Sequence, residues 1–255
     1  LILSGSRRSV CVSSQVGCPV ACAFCASGKL GFKRNLTFDE ILQQVWNIDI
    51  WLHKNYGETV SHVIFMGMGE PLKNEEEVFT ALKGLNNKNM FNISQRRITI
   101  STVGIPEGIK HLADNGIKVH IALSLHAPND AIRKQIIPYA KKYSIKELFA
   151  ALDYYFAVTK RNITFEYTLI DGINDGVSHA RDLIKLIGDR QCSVNLIPYN
   201  PVEGVEFTRP SGKNIMRFKD ILTNAGIPTT CRYRKGDDIG AACGQLALKN
   251  KEEKR

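Results

Sequence analysis

Short β-branched segments alternate six times with segments of helical period along this chain, and no other feature constrains its fold as strongly. The β-branched segments are Val10–Val16, Val60–Met66, Arg97–Thr102, Lys118–Leu125, Asn162–Ile170 and Ser193–Pro198. The helical segments are Phe38–Lys54, Glu75–Asn87, Pro106–Asn115, Ile145–Thr159, Val177–Ile187 and Ser211–Ala225. Such alternation is typical of βαβ units with a parallel sheet and right-handed crossovers. Six units are too few to close an eight-stranded barrel, so we predict an α/β fold, an open and partial (βα)6 barrel.

The composition is that of a globular protein with one core. The chain has 255 residues, 44% of them hydrophobic and 23% charged, and this length suits a single domain. We expect a core domain over residues 1–246, a basic tail over residues 247–255, and a monomer. No signal peptide is visible and no apolar run reaches the roughly 18 residues of a membrane span. We therefore predict a cytoplasmic protein with no membrane partner.

The chemically distinctive residues follow the predicted strands. Active sites of parallel α/β folds lie where strands end and loops begin. Six such loops carry unusual residues, so we expect them to contribute to a site. The loops are Cys18–Cys25, Gly67–Pro71, Ser101–Gly104, Ser124–His126, Asp171–Asn174 and Tyr199–Pro201.

Three of the seven cysteines, Cys18, Cys22 and Cys25, are spaced C-x-x-x-C-x-x-C on the first of these loops. Three thiolates on a short loop can hold one face of a 4Fe–4S cluster. They leave one iron open, which is what a substrate-binding cluster needs. The competing interpretations are a zinc site, which would usually need a second cysteine pair, and buried structural cysteines.

The triplet resembles the signature of the radical-SAM superfamily, with aromatic Phe24 just before the last cysteine. The Gly67–Pro71 segment is similar to that superfamily's Gly-Glu-Pro segment. Over Arg8–Leu246 the chain resembles the RNA adenine-C2 methyltransferases of the RlmN type and their Cfr relatives. The segments that carry this resemblance are Cys11–Cys18, Phe65–Pro71, Ser101–Gly104, Ser124–Ala127, Asn195–Pro201 and Ala241–Leu246.

This resemblance implies methylation of carbon 2 of an adenine in 23S rRNA, with tRNA as a further candidate substrate. Its cofactors would be a 4Fe–4S cluster on the cysteine triplet and S-adenosylmethionine. The electron would come from an external donor such as flavodoxin or ferredoxin. The positions that match the family's S-adenosylmethionine contacts are Gly69, Glu70, Ser101, Ser124, Leu125, His126 and Asn200.

The resemblance also implies two catalytic cysteines. Cys243 matches the cysteine that is first methylated and whose methyl group then adds to the base as a carbon radical. Cys11 matches the cysteine that releases the product and forms a disulfide with Cys243. Taken alone, each would more often be a small buried side chain. No motif supports a role for Cys192 or Cys231.

Three other functions stay open at this point. A Cfr-type enzyme would methylate carbon 8, although Pro71 and Ile197–Tyr199 look more like the RlmN type. A different radical-SAM enzyme would not need Cys11 or Cys243. An iron–sulfur protein without enzymatic activity would have a fourth protein ligand.

The formal charge of +9 favours a polyanionic partner such as nucleic acid. Basic residues that we expect near the mouth of the site, where they would contact phosphates, are Lys29, Lys33, Arg34, Arg96, Arg97, Arg232, Arg234 and Lys235. Phe32, Tyr199 and Tyr233 could stack an extruded base, with core packing as the alternative.

The resembled family also carries an upstream accessory domain and a glutamate, shortly before Cys11, that is proposed to take the proton from the attacked carbon. The ten residues that precede Cys11 here contain no glutamate, and the first residue is Leu1 rather than Met. We expect the chain to be a fragment or a processed form that binds its cofactors and lacks this base and this domain.

Overall fold

The computed structural model describes residues 1–202 and 204–232. The strands within these ranges are β1 (Ile2–Ser4), β2 (Arg7–Cys11), β3 (Gln15–Gly17), β4 (Phe32–Asn35), β5 (His62–Phe65), β6 (Ile98–Thr102), β7 (His120–Ser124), β8 (Ile163–Leu169), β9 (Cys192–Pro198) and β10 (Thr229–Cys231). The helices are α1 (Ala26–Lys29), α2 (Phe38–Tyr56), α3 (Glu75–Asn86), α4 (Pro106–Asp114), α5 (Asp130–Ile136), α6 (Ile145–Thr159), α7 (Val177–Ile187) and α8 (Gly212–Asn224).

Eight of these strands form one sheet in the order β1-β2-β5-β6-β7-β8-β9-β10. From β2 to β10 all neighbouring strands are parallel, and β1 is added antiparallel at one edge. Helices α2, α3, α4, α6, α7 and α8 lie in sequence between these strands. The prediction of an α/β partial barrel is therefore confirmed.

Alternation along the strands separates the core from the concave face of the sheet. Every second side chain packs against the helices and is buried at 0–2% exposure, and burying each is worth about 1.5–3 kcal/mol. These core residues include Val63, Phe65, Ile98, Ile100, Ile121, Leu123, Phe165 and Tyr167. The intervening positions on the other face carry polar residues such as Ser101, Ser124 and Glu166, which line a cavity.

The long helices begin at capping boxes. At the start of α2 the Thr37 side chain accepts from the Glu40 amide, and the Glu40 carboxylate accepts from the Thr37 amide. Ser144 and Glu147 make the same two hydrogen bonds at the start of α6. These pairs satisfy amide groups that have no partner within the helix. Helix α2 ends at Tyr56 and is capped by Gly57, whose left-handed φ of 66° favours glycine.

The first predicted strand, Val10–Val16, is wrong in its bounds. The chain leaves the sheet after Cys11, and β3 instead pairs antiparallel with β4 as a separate hairpin. The reason is a bend at Ser13 and Ser14. The Ser13 amide donates to Gln44 Oε1 at 2.8 Å, and the Ser14 amide donates to the Met68 carbonyl at 2.9 Å.

Several short elements were not predicted. Strands β1, β4 and β10 have three or four residues, and α1 has four, so none shows a period. Helix α5 has seven residues and begins at Asn129, whose side chain accepts from the Ile132 amide at 3.0 Å. Across the described ranges, no helix has both the length and the apolarity needed to cross a membrane.

Candidate active site

The loops after the parallel strands surround one cavity of about 1010 Å³, counting the part that is open to solvent. The predicted site residues that line it are Cys18, Cys22, Cys25, Gly69, Glu70, Ser101, Ser124, His126 and Asn200. Predicted site residue Leu125 instead lies in the core at 0% exposure, and its amide donates to the Glu166 carbonyl at 3.1 Å.

The cysteine loop folds back on itself. The Cys25 amide donates to the Cys22 carbonyl at 3.1 Å, and Ala21 adopts a left-handed φ of 54°. At Gly28 a β-carbon would lie 3.1 Å from the backbone of Ala21 and Cys22, so glycine lets the first turn of α1 approach the loop this closely without a shift of that backbone. This packing directs the three half-buried cysteines toward the cavity.

The chemistry of the loop fits an iron–sulfur cluster. Burial is the main cause that raises the pKa of Cys18 to about 11 and the pKa of Cys22 well above its usual value, so the thiols bind protons unless a metal displaces them. Among the described residues, no three His, Cys, Asp or Glu side chains converge on a single metal ion. The cysteines of a cubane bind different iron atoms and need not converge. The three cysteines on this loop are thus compatible with a 4Fe–4S cluster.

Residues Gly67–Pro71 are held tightly against the segment after β2. Gly69 has a φ of 107°, and a β-carbon there would lie 2.6 Å from Gln15 Cβ. Glu70 is 3% exposed, and its two carboxylate oxygens accept from the amides of Leu72 at 3.0 Å and Val103 at 2.7 Å. Burial raises the pKa of Glu70 to about 7. Its side chain thus ties the loop after β5 to the loop after β6.

His126 is held neutral in an unusual backbone conformation. Its φ is 56°, and its Nδ1 accepts from the Thr168 amide at 2.9 Å. Burial, followed by the charge of Arg133, lowers the pKa of His126 to about 3. A neutral imidazole that accepts at Nδ1 carries its proton on Nε2. The ring, packed edge-on against Phe24 at 4.8 Å, can therefore act as a hydrogen-bond donor.

Two further groups offer polar atoms to a ligand. Ser101 Oγ and Ser124 Oγ lie 3.5 Å apart at the ends of neighbouring strands. The Oδ1 atom of Asn200 is buried and has no hydrogen-bond partner among the described residues. Buried polar atoms are nearly always hydrogen-bonded, so the orphan Oδ1 marks a position where a ligand donor fits.

Two buried charged residues at this site were not predicted from the sequence. Glu166 lines the cavity at 5% exposure and accepts from Asn195 Nδ2 at 2.7 Å, and burial raises its pKa. Glu166 lies between Phe165 and Tyr167 in a strand in which every second side chain packs against the helices. This alternation indicates that the Glu166 side chain faces the cavity side of the sheet. Arg133, on the unpredicted helix α5, is 1% exposed beneath the cavity.

The other predicted residues divide into three groups. Cys11 is half-buried at the end of β2 and aligned with Ile64 on β5. Cys243, Tyr233, Arg234, Lys235 and the tail 247–255 lie outside the described residues. Arg96 and Arg97 were wrongly placed at the mouth of the site, because they precede β6 and so lie at the opposite end of the sheet.

The remaining RNA-contact candidates are spread over the described surface. The Lys29 ammonium donates to the Gly204 carbonyl at 2.6 Å, and Arg34 pairs with Glu40 at 2.7 Å. Arg232 lines the cavity. Tyr199 is 1% exposed and packs edge-on against Phe207, which is the core packing that we gave as the alternative to base stacking. Phe32 is 48% exposed, as a stacking residue would be.

The profile of the Radical SAM superfamily matches residues 12–187. With the partial barrel and the cysteine-lined cavity, this match places the chain in the radical SAM superfamily. The crystal structure of a radical SAM methyltransferase from Sphaerobacter thermophilus is similar to it with a TM-score of 0.93 and 45% identity, covering 96% of this chain and 71% of that one.

Two curated relatives show which family within this superfamily the chain belongs to. "Probable dual-specificity RNA methyltransferase RlmN 2" of Protochlamydia amoebophila is 59% identical over 99% of this chain and 70% of its own length. "Probable dual-specificity RNA methyltransferase RlmN" of Rhodopirellula baltica is 49% identical over 100% of this chain and 68% of its own length. The chain belongs to the RlmN family of RNA methyltransferases.

Proposed function

We propose that this chain methylates carbon 2 of an adenine in RNA by radical chemistry on S-adenosylmethionine. Its membership in the RlmN family supports carbon 2 over carbon 8. The observation that carries the proposal is the cavity that joins three half-buried cysteines to the buried polar atoms of the neighbouring strand ends. We take 23S rRNA as the first substrate and tRNA as a second, since the relatives are named dual-specificity enzymes.

In this proposal Cys18, Cys22 and Cys25 hold the 4Fe–4S cluster and leave one iron open for S-adenosylmethionine. When bound and reduced, the cluster supplies the electron that cleaves S-adenosylmethionine to a 5′-deoxyadenosyl radical. That electron comes from an external donor such as flavodoxin or ferredoxin. The residues assigned to the cofactor are Gly69, Glu70, Ser101, Ser124, Leu125, His126 and Asn200.

The contacts of these residues suit an amphiphilic cofactor. Gly69 gives a ligand close access to backbone, because a side chain there would collide with Gln15. The His126 Nε2–H and the serine hydroxyls donate hydrogen bonds, and Asn200 Oδ1 accepts one. The fixed contacts of Glu70 hold the loop in shape before any ligand arrives, which reduces the ordering cost of binding.

The methyl group passes through Cys243, and Cys11 then releases the product. Cys243 accepts a methyl group from one S-adenosylmethionine, and its S-methyl group then loses a hydrogen atom to the radical. The resulting carbon radical would add to carbon 2 and join Cys243 to the RNA as a thioether. This adduct would then give its unpaired electron to the oxidised cluster and its carbon-2 proton to a base. The Cys11 thiolate attacks the sulfur of Cys243 and breaks its bond to the new methyl carbon, which takes a proton from solvent. The product leaves, and an external dithiol reduces the Cys11–Cys243 disulfide.

The position of Cys11 supports this role. It lies at the carboxyl end of β2, the same end of the sheet as the cavity, seven residues before Cys18. We further propose that the enzyme acts as a cytoplasmic monomer.

The test uses chain reconstituted without oxygen, S-adenosylmethionine labelled in its methyl group, and 23S rRNA or tRNA. We expect label in 2-methyladenosine, no labelled RNA with Cys243→Ala, and a protein–RNA crosslink that accumulates with Cys11→Ala. Cys192→Ala is the matched control and keeps wild-type labelling, because Cys192 lies at the opposite end of the sheet, at the start of β9. Label in 8-methyladenosine would support the Cfr-type reaction instead. If neither the RNA nor the Cys243 peptide carries label, the proposal fails.

A further inference from the structure

Arg133 is a buried cation that none of the proposed catalytic steps uses. The residue is 1% exposed, although arginine is almost never buried without an ion-pair partner. Its described hydrogen bonds all go to backbone carbonyls rather than to a carboxylate. Its Nη2 donates to the carbonyls of Val103 at 2.5 Å and Ser124 at 3.3 Å, and its Nε donates to the carbonyl of Leu125 at 3.2 Å.

These three carbonyls belong to the strand ends that carry the proposed cofactor contacts. Val103 directly follows β6, where Ser101 lies, while Ser124 ends β7 and Leu125 follows it, just before His126. A planar guanidinium can donate in several fixed directions at once, which lysine cannot do. Arg133 therefore fixes the relative position of two neighbouring loops of the cavity.

The helix that carries this guanidinium packs against the cysteine loop. Helix α5 meets this loop where the Ala23 amide donates to the Ile136 carbonyl at 2.9 Å. Val103 and Ser124, whose carbonyls accept hydrogen bonds from Arg133, line the same cavity as Cys22. Arg133 is thus bonded to the wall of the cavity that would hold the cluster.

We propose that Arg133 is a positioning residue with a second, electrostatic role: it locks the ends of β6 and β7 together and places a fixed positive charge beside the thiolate-bound cluster. This inference rests on the proposed function, since it requires a cluster on Cys18, Cys22 and Cys25. Reduction adds negative charge to the cluster. A cation close by in a poorly solvated site favours the reduced form.

Two variants separate the two roles. Arg133→Met keeps the length of the side chain and removes both the charge and the donors. We expect its reduction equilibrium to fall at least about tenfold, which is about 59 mV toward more negative potential for one electron. Arg133→Lys keeps the charge and loses the fork of donors. We expect it to keep the wild-type potential and to bind S-adenosylmethionine about fivefold or more weakly, because contacts to one strand end are lost.

The measurements are an anaerobic redox titration of the reconstituted cluster followed by electron paramagnetic resonance, and the Kd of S-adenosylmethionine by calorimetry. Arg190→Met is the control, because it removes a surface cation that pairs with Asp153 and stacks over Phe149 away from the cavity. It keeps both wild-type values.

Several outcomes would overturn the inference. Arg133→Met with the wild-type potential would refute the electrostatic role, even if the variant were less stable. If Arg133→Met does not fold, Arg133→Lys alone decides: a shifted potential or an unchanged Kd contradicts the inference. If the wild-type chain itself assembles no cluster, the proposed function fails rather than the role of Arg133.

Discussion

Replacing His126 with asparagine should remove a large acid-dependent loss of stability. The pKa of His126 is about 3 in the folded chain because the ring is buried and lies near Arg133, whereas the ordinary value is 6.5. The folded state therefore binds this proton less readily than the unfolded state. It follows that the stability contributed by the neutral ring is fully present above pH 6.5 and is lost as the pH falls toward 3.

The size of this loss follows from the shift. Between pH 7.5 and pH 5 the unfolded chain gains most of one proton at this site and the folded chain gains almost none. At about 1.36 kcal/mol per unit, this lowers the free energy of unfolding by about 2 kcal/mol. At pH 3 the loss reaches about 4–5 kcal/mol.

His126→Asn is a conservative change at this position. Asparagine tolerates the left-handed φ of 56° better than most residues, and its Oδ1 can accept from the Thr168 amide in place of Nδ1. Because asparagine does not titrate, the difference in stability between wild type and variant isolates this one group. Other groups, such as Glu70, contribute equally to both proteins and cancel.

The assay is urea unfolding of both proteins from pH 7.5 to pH 5. We expect the stability of the wild type to fall by about 2 kcal/mol relative to His126→Asn over this interval. His111→Asn is the control: Glu75 raises the pKa of this exposed histidine, so its effect has the opposite sign and stability is lost as the pH rises. Parallel curves for wild type and His126→Asn would refute the buried neutral imidazole.

Three further predictions test the site. Gly69→Ala should lower the free energy of unfolding by about 2–5 kcal/mol in urea titrations, because its φ of 107° strains any side chain and the β-carbon would lie 2.6 Å from Gln15 Cβ; a value below about 0.5 kcal/mol would contradict the tight contact. Asn174→Ala should cost about 3 kcal/mol or more, since Asn174 is 0% exposed and bonds the backbone of His126, Thr168 and Ile170 at 2.7 Å; exposed Asn55→Ala should cost much less in the same assay. Cys18→Ala should abolish the iron and sulfide content of reconstituted protein while Cys192→Ala keeps it, and full cluster content in Cys18→Ala would refute the ligand assignment.

Much of the fold could be predicted because its signal is periodic. Segments such as Ile163–Leu169 and Ile145–Thr159 are long enough to show a period of two or of 3.6 residues. The first strand was predicted too long because Val10, Val12 and Val16 fall on one side of an alternating pattern. The bend at Ser13 depends on Gln44 and Met68, which are distant in sequence.

The candidate site divides in the same way. The loops after the strands were predictable because residues after parallel strands share one end of the sheet. Applied strictly, the same rule would have excluded Arg96 and Arg97, which precede β6. Arg133 was not predicted because a helix of seven residues shows little periodicity. Its role also depends on hydrogen bonds to carbonyls that follow two other elements, which only the fold brings near. The tautomer of His126 depends on the Thr168 amide, which only the fold brings near.

The proposed chemistry begins when S-adenosylmethionine held in this cavity methylates Cys243. The most direct test incubates the chain, reconstituted without oxygen, with methyl-labelled S-adenosylmethionine and determines the mass of the peptide that contains Cys243. We expect one labelled methyl group on the Cys243 sulfur in the wild type, and none when Cys18, Cys22 and Cys25 are replaced by alanine. A fully assembled cluster with an unlabelled Cys243 peptide would contradict it.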